Sequence, residues 1–160
     1  RRALELDPRF MRAYDNLGLC YEALGRFDEA LRSWEEAIRL NEVQKTKSPC
    51  PPLNLGLMLT RLDRLDEAEA RFRESLRCDP RFPQAHYQLG ITLEKKRSAG
   101  EAVSELEEAV RLDPAYSEAQ YALARLYRRS GQPQKADQAL QRFQELKQAK
   151  DQKDQARPGP

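Results

Sequence analysis

One histidine and three cysteines are the residues in this chain from which catalytic or metal chemistry would most readily be built: His86, Cys20, Cys50 and Cys78. A single imidazole cannot make a His-rich metal site, and the cysteines lie too far apart for a Cys-x-x-Cys pair, so neither a metal nor a cofactor is expected. His86 has no nucleophile placed beside it by spacing, and it falls where an earlier segment carries Tyr14. Packing or hydrogen bonding is therefore its expected role. Cys78 fills a slot taken elsewhere by Leu40, Leu112 and Leu146, which marks it as a small core hydrophobe, and Cys20 reads the same way. Cys50, between Pro49 and Pro51, is the thiol expected at the surface, with no adjacent cation to activate it. The glycines stand singly, without the Gly-rich spacing that cradles phosphate. No catalytic residue is expected, and the chain is not read as an enzyme.

Charge narrows the partners. Among 160 residues, 28 Lys and Arg oppose 26 Asp and Glu, a net charge of +2 that supplies no global pull towards nucleic acid or anionic lipid. No apolar stretch approaches the roughly 18 residues that a membrane span requires. Arg125, Arg128 and Arg129 lie one period from Lys95, Lys96 and Arg97, but Glu94, Glu101 and Glu118 interrupt the patch. It is expected to be a solvated face or an anchor for an acidic peptide group, and no nucleic acid is expected. The odd cysteine count without local pairing favours a reducing, intracellular setting.

The elements that must position these residues follow from a repeat. Asp-Pro occurs at Asp7-Pro8, Asp79-Pro80 and Asp113-Pro114, the last two 34 residues apart. Leu17-Gly18, Leu55-Gly56, Leu89-Gly90 and Leu123-Ala124 follow at intervals of 38, 34 and 34 residues, and Ala30, Ala68, Ala102 and Ala136 keep the same beat. Four residues on from each of these alanines stands a large apolar side chain: Trp34, Phe72, Leu106 and Leu140. Within each period apolar residues recur twice at helical spacing, as in Tyr14, Leu17, Tyr21 and Leu24, then Phe27, Ala30, Leu31, Trp34 and Ile38. Each period is thus a helical hairpin. It breaks at Gly25-Arg26, Leu62 to Arg64, Arg97 to Gly100, or Gly131 to Pro133. Asp-Pro stops the outgoing helix. Small residues at Gly18, Gly56, Gly90 and Ala124 facing the alanine series are expected to let the two backbones approach, with the large side chain beside them.

Tyr14-x2-Leu17-Gly18-x2-Tyr21 followed by Ala30-x3-Trp34 resembles the tetratricopeptide repeat family, with Glu42 in place of the final Pro. The resemblance implies an all-α, right-handed superhelical solenoid of antiparallel helical hairpins. Repeats are placed at residues 11–44, 49–82, 83–116 and 117–148, with an insertion at 45–48. Residues 1–8 read as the end of a preceding repeat, with the true N-terminus absent, and 149–160 as a disordered tail. Because Glu42 does not stop the first hairpin, its second helix is expected to run on by about one turn. The next helix is expected to begin at Pro52, since Cys50 and Pro51 each precede a proline. The last helix, with one apolar stripe and otherwise polar residues, is expected to cap the array.

The resemblance also implies a concave groove lined by the leading helix of each hairpin. Its positions here are Asp15, Asn16, Leu19, Leu53, Asn54, Leu57, Tyr87, Gln88, Ile91, Tyr121, Arg125 and Arg128, with the six apolar ones forming a stripe. The implied function is a non-catalytic scaffold that binds a peptide or helix of a protein partner, with self-association open to it. A structural spacer or a regulatory arm of a larger protein is the alternative. The family's clamp for chaperone C-termini is not expected: its positions carry Asp15, Leu19, Asn54, Gln84 and Gln88, of which only Asn54 agrees. Shifting by one repeat gives Leu53, Leu57, Gln88, Glu118 and Ala122, a poorer match.

Overall fold

The computed structural model describes residues 8–155, and residues 1–7, which hold most of the expected preceding repeat end, lie outside that description. The described chain is all helix: α1 (Pro8–Ala23), α2 (Phe27–Gln44), α3 (Cys50–Arg61), α4 (Leu65–Cys78), α5 (Pro83–Lys95), α6 (Ala99–Leu112), α7 (Ser117–Arg129) and α8 (Pro133–Gln155). Each odd-numbered helix packs most extensively on the even-numbered helix that follows it. Each even-numbered helix then packs on the next leading helix, so the hairpins stack into a solenoid.

All four hairpin turns are built alike. Gly25, Asp63, Arg97 and Gly131 each take a left-handed backbone, with φ of 71°, 59°, 65° and 72°. The next residue donates its backbone N–H to a carbonyl five residues back: Arg26 to Tyr21, Arg64 to Leu59, Ser98 to Leu93 and Gln132 to Tyr127, each at 2.9 Å. This is the hydrogen bond that closes a helix through a left-handed residue. Asp63 and Arg97 hold that conformation without glycine's freedom, at a cost of about 1 kcal/mol each.

Between hairpins, Asp79 and Asp113 are extended, with φ of −140° and −132°. Each carboxylate accepts a backbone N–H two residues on, from Arg81 at 2.9 Å and Ala115 at 3.0 Å, which turns the chain beside the proline. The first junction replaces Asp-Pro with Asn41-Glu42. Helix α2 accordingly continues to Gln44, and Lys45 and Lys47 turn the chain with φ of 53° and 51°. Asn41, only 5 % exposed, holds the extra residues: its Oδ1 accepts Ser48 N–H at 2.9 Å and the Thr46 hydroxyl, and its Nδ2 donates to Ser48 O at 2.9 Å. An aspartate could accept but not donate.

Helix α3 starts at Cys50, two residues before the expected Pro52. The first-turn N–H groups of a helix lack partners in any case, so Pro51 and Pro52 sacrifice no hydrogen bond there. Both rings are buried, which offsets the local restriction that a proline puts on the residue before it. Helix α8 likewise runs through Gln155, in place of a disordered tail from residue 149. Gln, Lys, Ala and Asp there contain no helix breaker, and propensity carries the helix on although 151–154 are exposed. Residues 156–160 lie outside the described residues.

The core is a column of large side chains seated on small ones. Trp34, Phe72 and Leu106 are fully buried. A Cβ added at Gly56 would stand 2.6 Å from the Phe72 ring, and one at Gly90 would stand 2.7 Å from Leu106 Cγ. Gly18 stands in the same way against the Trp34 indole. The glycine therefore admits the large side chain of the partner helix. At Gly90 a backbone atom of the alanine series is also close, Ala102 O at 3.2 Å.

Gly56→Ala should therefore destabilise the protein by a net 1–2 kcal/mol or so, overpacking against Phe72 outweighing the gain in helix propensity. Phe72→Leu in that background should recover part of the loss, since Ala124 and Leu140 already form such a pair. Urea unfolding of the three variants measures this, and a neutral or stabilising Gly56→Ala would show that the ring moves aside freely.

Candidate functional site

The expected groove residues lie on the leading helices and touch their neighbours: Asn54 reaches α1, Arg125 reaches α5, and Tyr121 lies beside Phe143 of its hairpin partner. Repeat spacing makes Asp15, Leu53, Tyr87 and Tyr121 equivalent, and likewise Leu19, Leu57, Ile91 and Arg125. Leu19 is 44 % exposed and Tyr121 is 50 % exposed, so the ends of the stripe are open. Leu53, Leu57, Tyr87 and Ile91 between them are half-buried and pack against the core, serving the scaffold and the surface together. Tyr87 lies 4.9 Å from the ring of Tyr116, and Tyr121 lies 5.2 Å from that of Phe143. Burial, with Tyr87 and two carboxylates nearby, pushes the Tyr116 phenol up to about 12.

The polar groups of this face mostly hold one another. Asn54 Nδ2 donates to Asp15 Oδ1 at 2.8 Å and ties α3 to α1. Burial raises the Asp15 pKa, against the opposing pull of that bond and of the nearby Trp34 indole. The indole N–H itself falls short of a hydrogen bond. Arg61 pairs with Glu22 across the same two helices. Asn16 is exposed and Gln88 is half-buried, its backbone oxygen taken by the Thr92 hydroxyl at 2.8 Å.

At the α7 end, Arg125 and Arg129 both pair with Glu94 of α5, the latter at 2.6 Å. Arg128 stands 3.5 Å from Asp137, both groups exposed. Tyr121, Ala124, Arg125, Arg128, Arg129 and Leu140 surround a pocket of about 200 Å³. Lys96, part of the basic patch in sequence, instead reaches Asp66 at 2.5 Å and Glu69 at 2.6 Å. The patch is thus divided. The sequence pattern places Glu94 and Arg129 in an interrupted patch but does not pair them, because a carboxylate shared by two arginines 31 and 35 residues away appears only once the helices are stacked.

His86 lies 2.7 Å through Nδ1 from Glu105 Oε2 and 3.0 Å through Nε2 from Pro80 O, so it joins α5, α6 and the preceding loop. Cys50 is exposed and Cys78 half-buried. Partial desolvation of the sulfur raises both thiols, at Cys50 even though the residue as a whole is exposed, the opposite of the activation a nucleophile needs. Cys20 is exposed, contrary to the core role expected. Its equivalents Met58, Thr92 and Leu126 are each covered by the hairpin before them, and no described residue precedes α1 to cover Cys20. Among the described residues no cluster of His, Cys, Asp and Glu could hold a metal ion, and no helix is long and apolar enough to cross a membrane.

Tetratricopeptide repeat models match residues 9–81, 53–117 and 95–156. No curated protein matches the sequence. Among solved structures, MamA superposes with a TM-score of 0.78 at 19 % identity, over 94 % of this chain and 85 % of that one. YrrB, a TPR protein with an unusual peptide-binding site, gives 0.70 at 24 % identity, over 90 % and 72 %. The first TPR of Spaghetti (RPAP3), bound to the HSP90 peptide SRMEEVD, gives 0.72 at 19 % identity, over 78 % and 96 %. At these identities the likeness is one of fold.

The two acceptors around His86 make a titration testable. Burial alone would lower its pKa, but the Glu105 carboxylate and the Pro80 carbonyl outweigh it and raise the pKa. An imidazolium donates to both, whereas a neutral ring turns a lone pair towards one of them. The resulting stabilisation should be complete below about pH 6.5 and be lost as pH rises through the folded-state pKa. An NMR titration of this single histidine should show a midpoint above that value, and His86→Gln should remove that step from the pH dependence of urea stability. A midpoint at or below the ordinary value would refute the assignment.

Proposed function

Because the chain belongs to the tetratricopeptide repeat family, we propose that it is a protein-interaction module whose leading helices bind a peptide or amphipathic helix of a partner along Leu19, Leu53, Leu57, Tyr87, Ile91 and Tyr121. No catalytic step belongs to this reading. The observation that carries it is the pocket at the α7 end, where a half-exposed aromatic ring adjoins three arginines that share Glu94 and Asp137. Such a pocket suits an apolar anchor followed by an acidic residue, since the cationic charge around Glu94 exceeds what that one carboxylate neutralises. Asn16, Asn54 and Gln88 would bond the partner's backbone.

A chaperone-type carboxylate clamp fits this face poorly. Asn54, the one matching residue, already donates to Asp15, and that carboxylate would oppose an incoming one. The peptide-bound Spaghetti structure shares the fold without lending its ligand to this chain.

Selection from a displayed peptide library tests the proposal. Enriched sequences should carry spaced apolar residues with an acidic residue at one end. Leu19→Asp with Tyr121→Ala, both at open positions, should retain the helical circular dichroism yet weaken those peptides by about tenfold or more, and Arg128→Glu should weaken the acidic ones selectively. Enrichment without that pattern, or binding indifferent to these substitutions, would place the binding surface elsewhere.

A further inference from the structure

The two ends of the solenoid differ. Leu55, Leu89 and Leu123 are at most 4 % exposed, and Met58, Thr92 and Leu126 at most 2 %, because α2, α4 and α6 pack over α3, α5 and α7. Leu55 and Leu59, for example, share a crevice with Leu31 and Ile38 of α2. On α1 the equivalent residues are bare: Leu17 is 42 % exposed and Cys20 is exposed, as is Ala13, whose equivalents Pro51, Ala85 and Ala119 are buried. The far end shows the reverse. Where α2, α4 and α6 present Ile38, Leu76 and Val110 to the next hairpin, α8 presents Gln144, exposed, and Asp137 stands exposed where Leu31 and Val103 stand. The α8 end is therefore closed by polar residues, while the α1 end keeps a face of interior type.

Sequence points to what covers that face. Residues 1–10 agree with residues 73–82 at six of ten positions, including Leu4, Asp7-Pro8 and Phe10. Residues 73–78 are the last turns of α4, which packs on α5. We propose that a helical hairpin encoded upstream of Arg1 in the same polypeptide packs its second helix along the Ala13, Leu17 and Cys20 face of α1, as α2, α4 and α6 pack on the helices that follow them. An apolar face of this extent at one end only fits a cis-acting neighbour better than a head-to-tail copy, because the polar α8 end offers no matching surface.

The test compares the chain beginning at Arg1 with the natural polypeptide extended upstream by at least one repeat, each carrying Cys50→Ser and Cys78→Ser so that Cys20 is the sole thiol of residues 1–160. Cysteines encoded upstream are likewise replaced by Ser. In the shorter chain Cys20 should react with a disulfide reagent as an open thiol. In the longer one it should be slowed at least a hundredfold, independently of protein concentration. Leu17→Asp should leave the melting temperature of the shorter chain nearly unchanged and lower that of the longer chain by several degrees. Equal Cys20 rates, or equal effects of Leu17→Asp, would overturn the proposal. So would an upstream sequence without a helical hairpin pattern. Protection of Cys20 in the shorter chain that grows with concentration, alongside a doubled mass in sedimentation, would assign the face to a second copy instead.

Discussion

A pair of helices with one apolar stripe each cannot enclose a core, and this protein meets that constraint by seating one large side chain on one missing one. Glycine inside a helix costs about 1 kcal/mol against alanine. Full burial of an aromatic or leucine side chain returns about 2–3 kcal/mol, so each exchange at Gly18 and Trp34, Gly56 and Phe72, and Gly90 and Leu106 is favourable on balance. The exchange also fixes the register within the hairpin, because the large side chain fits at one height only. Everything on the surface inherits that register.

Those same pairs are why the architecture is legible without coordinates. The small residue, the alanine twelve positions on and the large residue four beyond that recur as a unit, and they encode the helix-to-helix contact directly. What escapes the pattern depends on partners distant in sequence. The start of α3 at Cys50 turns on the burial of two proline rings, which outweighs their local conformational preference. Asn41 looks like a mere variant of the aspartate at 79 and 113, yet its second hydrogen-bonding group is what holds the four additional residues. The candidate site divides in the same way. Its apolar positions follow from register, but the links Asp15 to Asn54, Glu22 to Arg61 and Glu94 to Arg125 join residues 31 to 39 apart and exist only in the stacked array.

These cross-helix links shape the surface more than they stabilise it. Ion pairs with guanidinium groups half exposed to water contribute at most about 1 kcal/mol each, far less than the buried column. Their effect is to orient side chains between neighbouring leading helices and to cancel most charge along the middle of the face. Glu94, with a side chain only 11 % exposed, anchors two arginines whose outer N–H groups remain turned to solvent. The charge that survives cancellation is therefore concentrated at the α7 end, while the α1 end is dominated by Leu19 and the paired Asp15.

The perimeter of a single leading helix explains why the binding face is narrow and half-buried. One side, Gly90 in α5, meets the hairpin partner, and a second, Ala85, Leu89 and Thr92, lies beneath the preceding hairpin. At 3.6 residues per turn these two contacts consume more than half of the circumference. Tyr87, Ile91 and Glu94 occupy what is left, close enough to the core to be partly covered by it. Any side chain that serves a partner from this face must also satisfy the scaffold behind it. That double demand favours leucine, isoleucine and tyrosine at the centre of the stripe, where an asparagine would bring a polar group against the core. At the ends the demand relaxes: Leu19 and Tyr121 are the more exposed members of the stripe, although Tyr121 still rests one edge against Phe143.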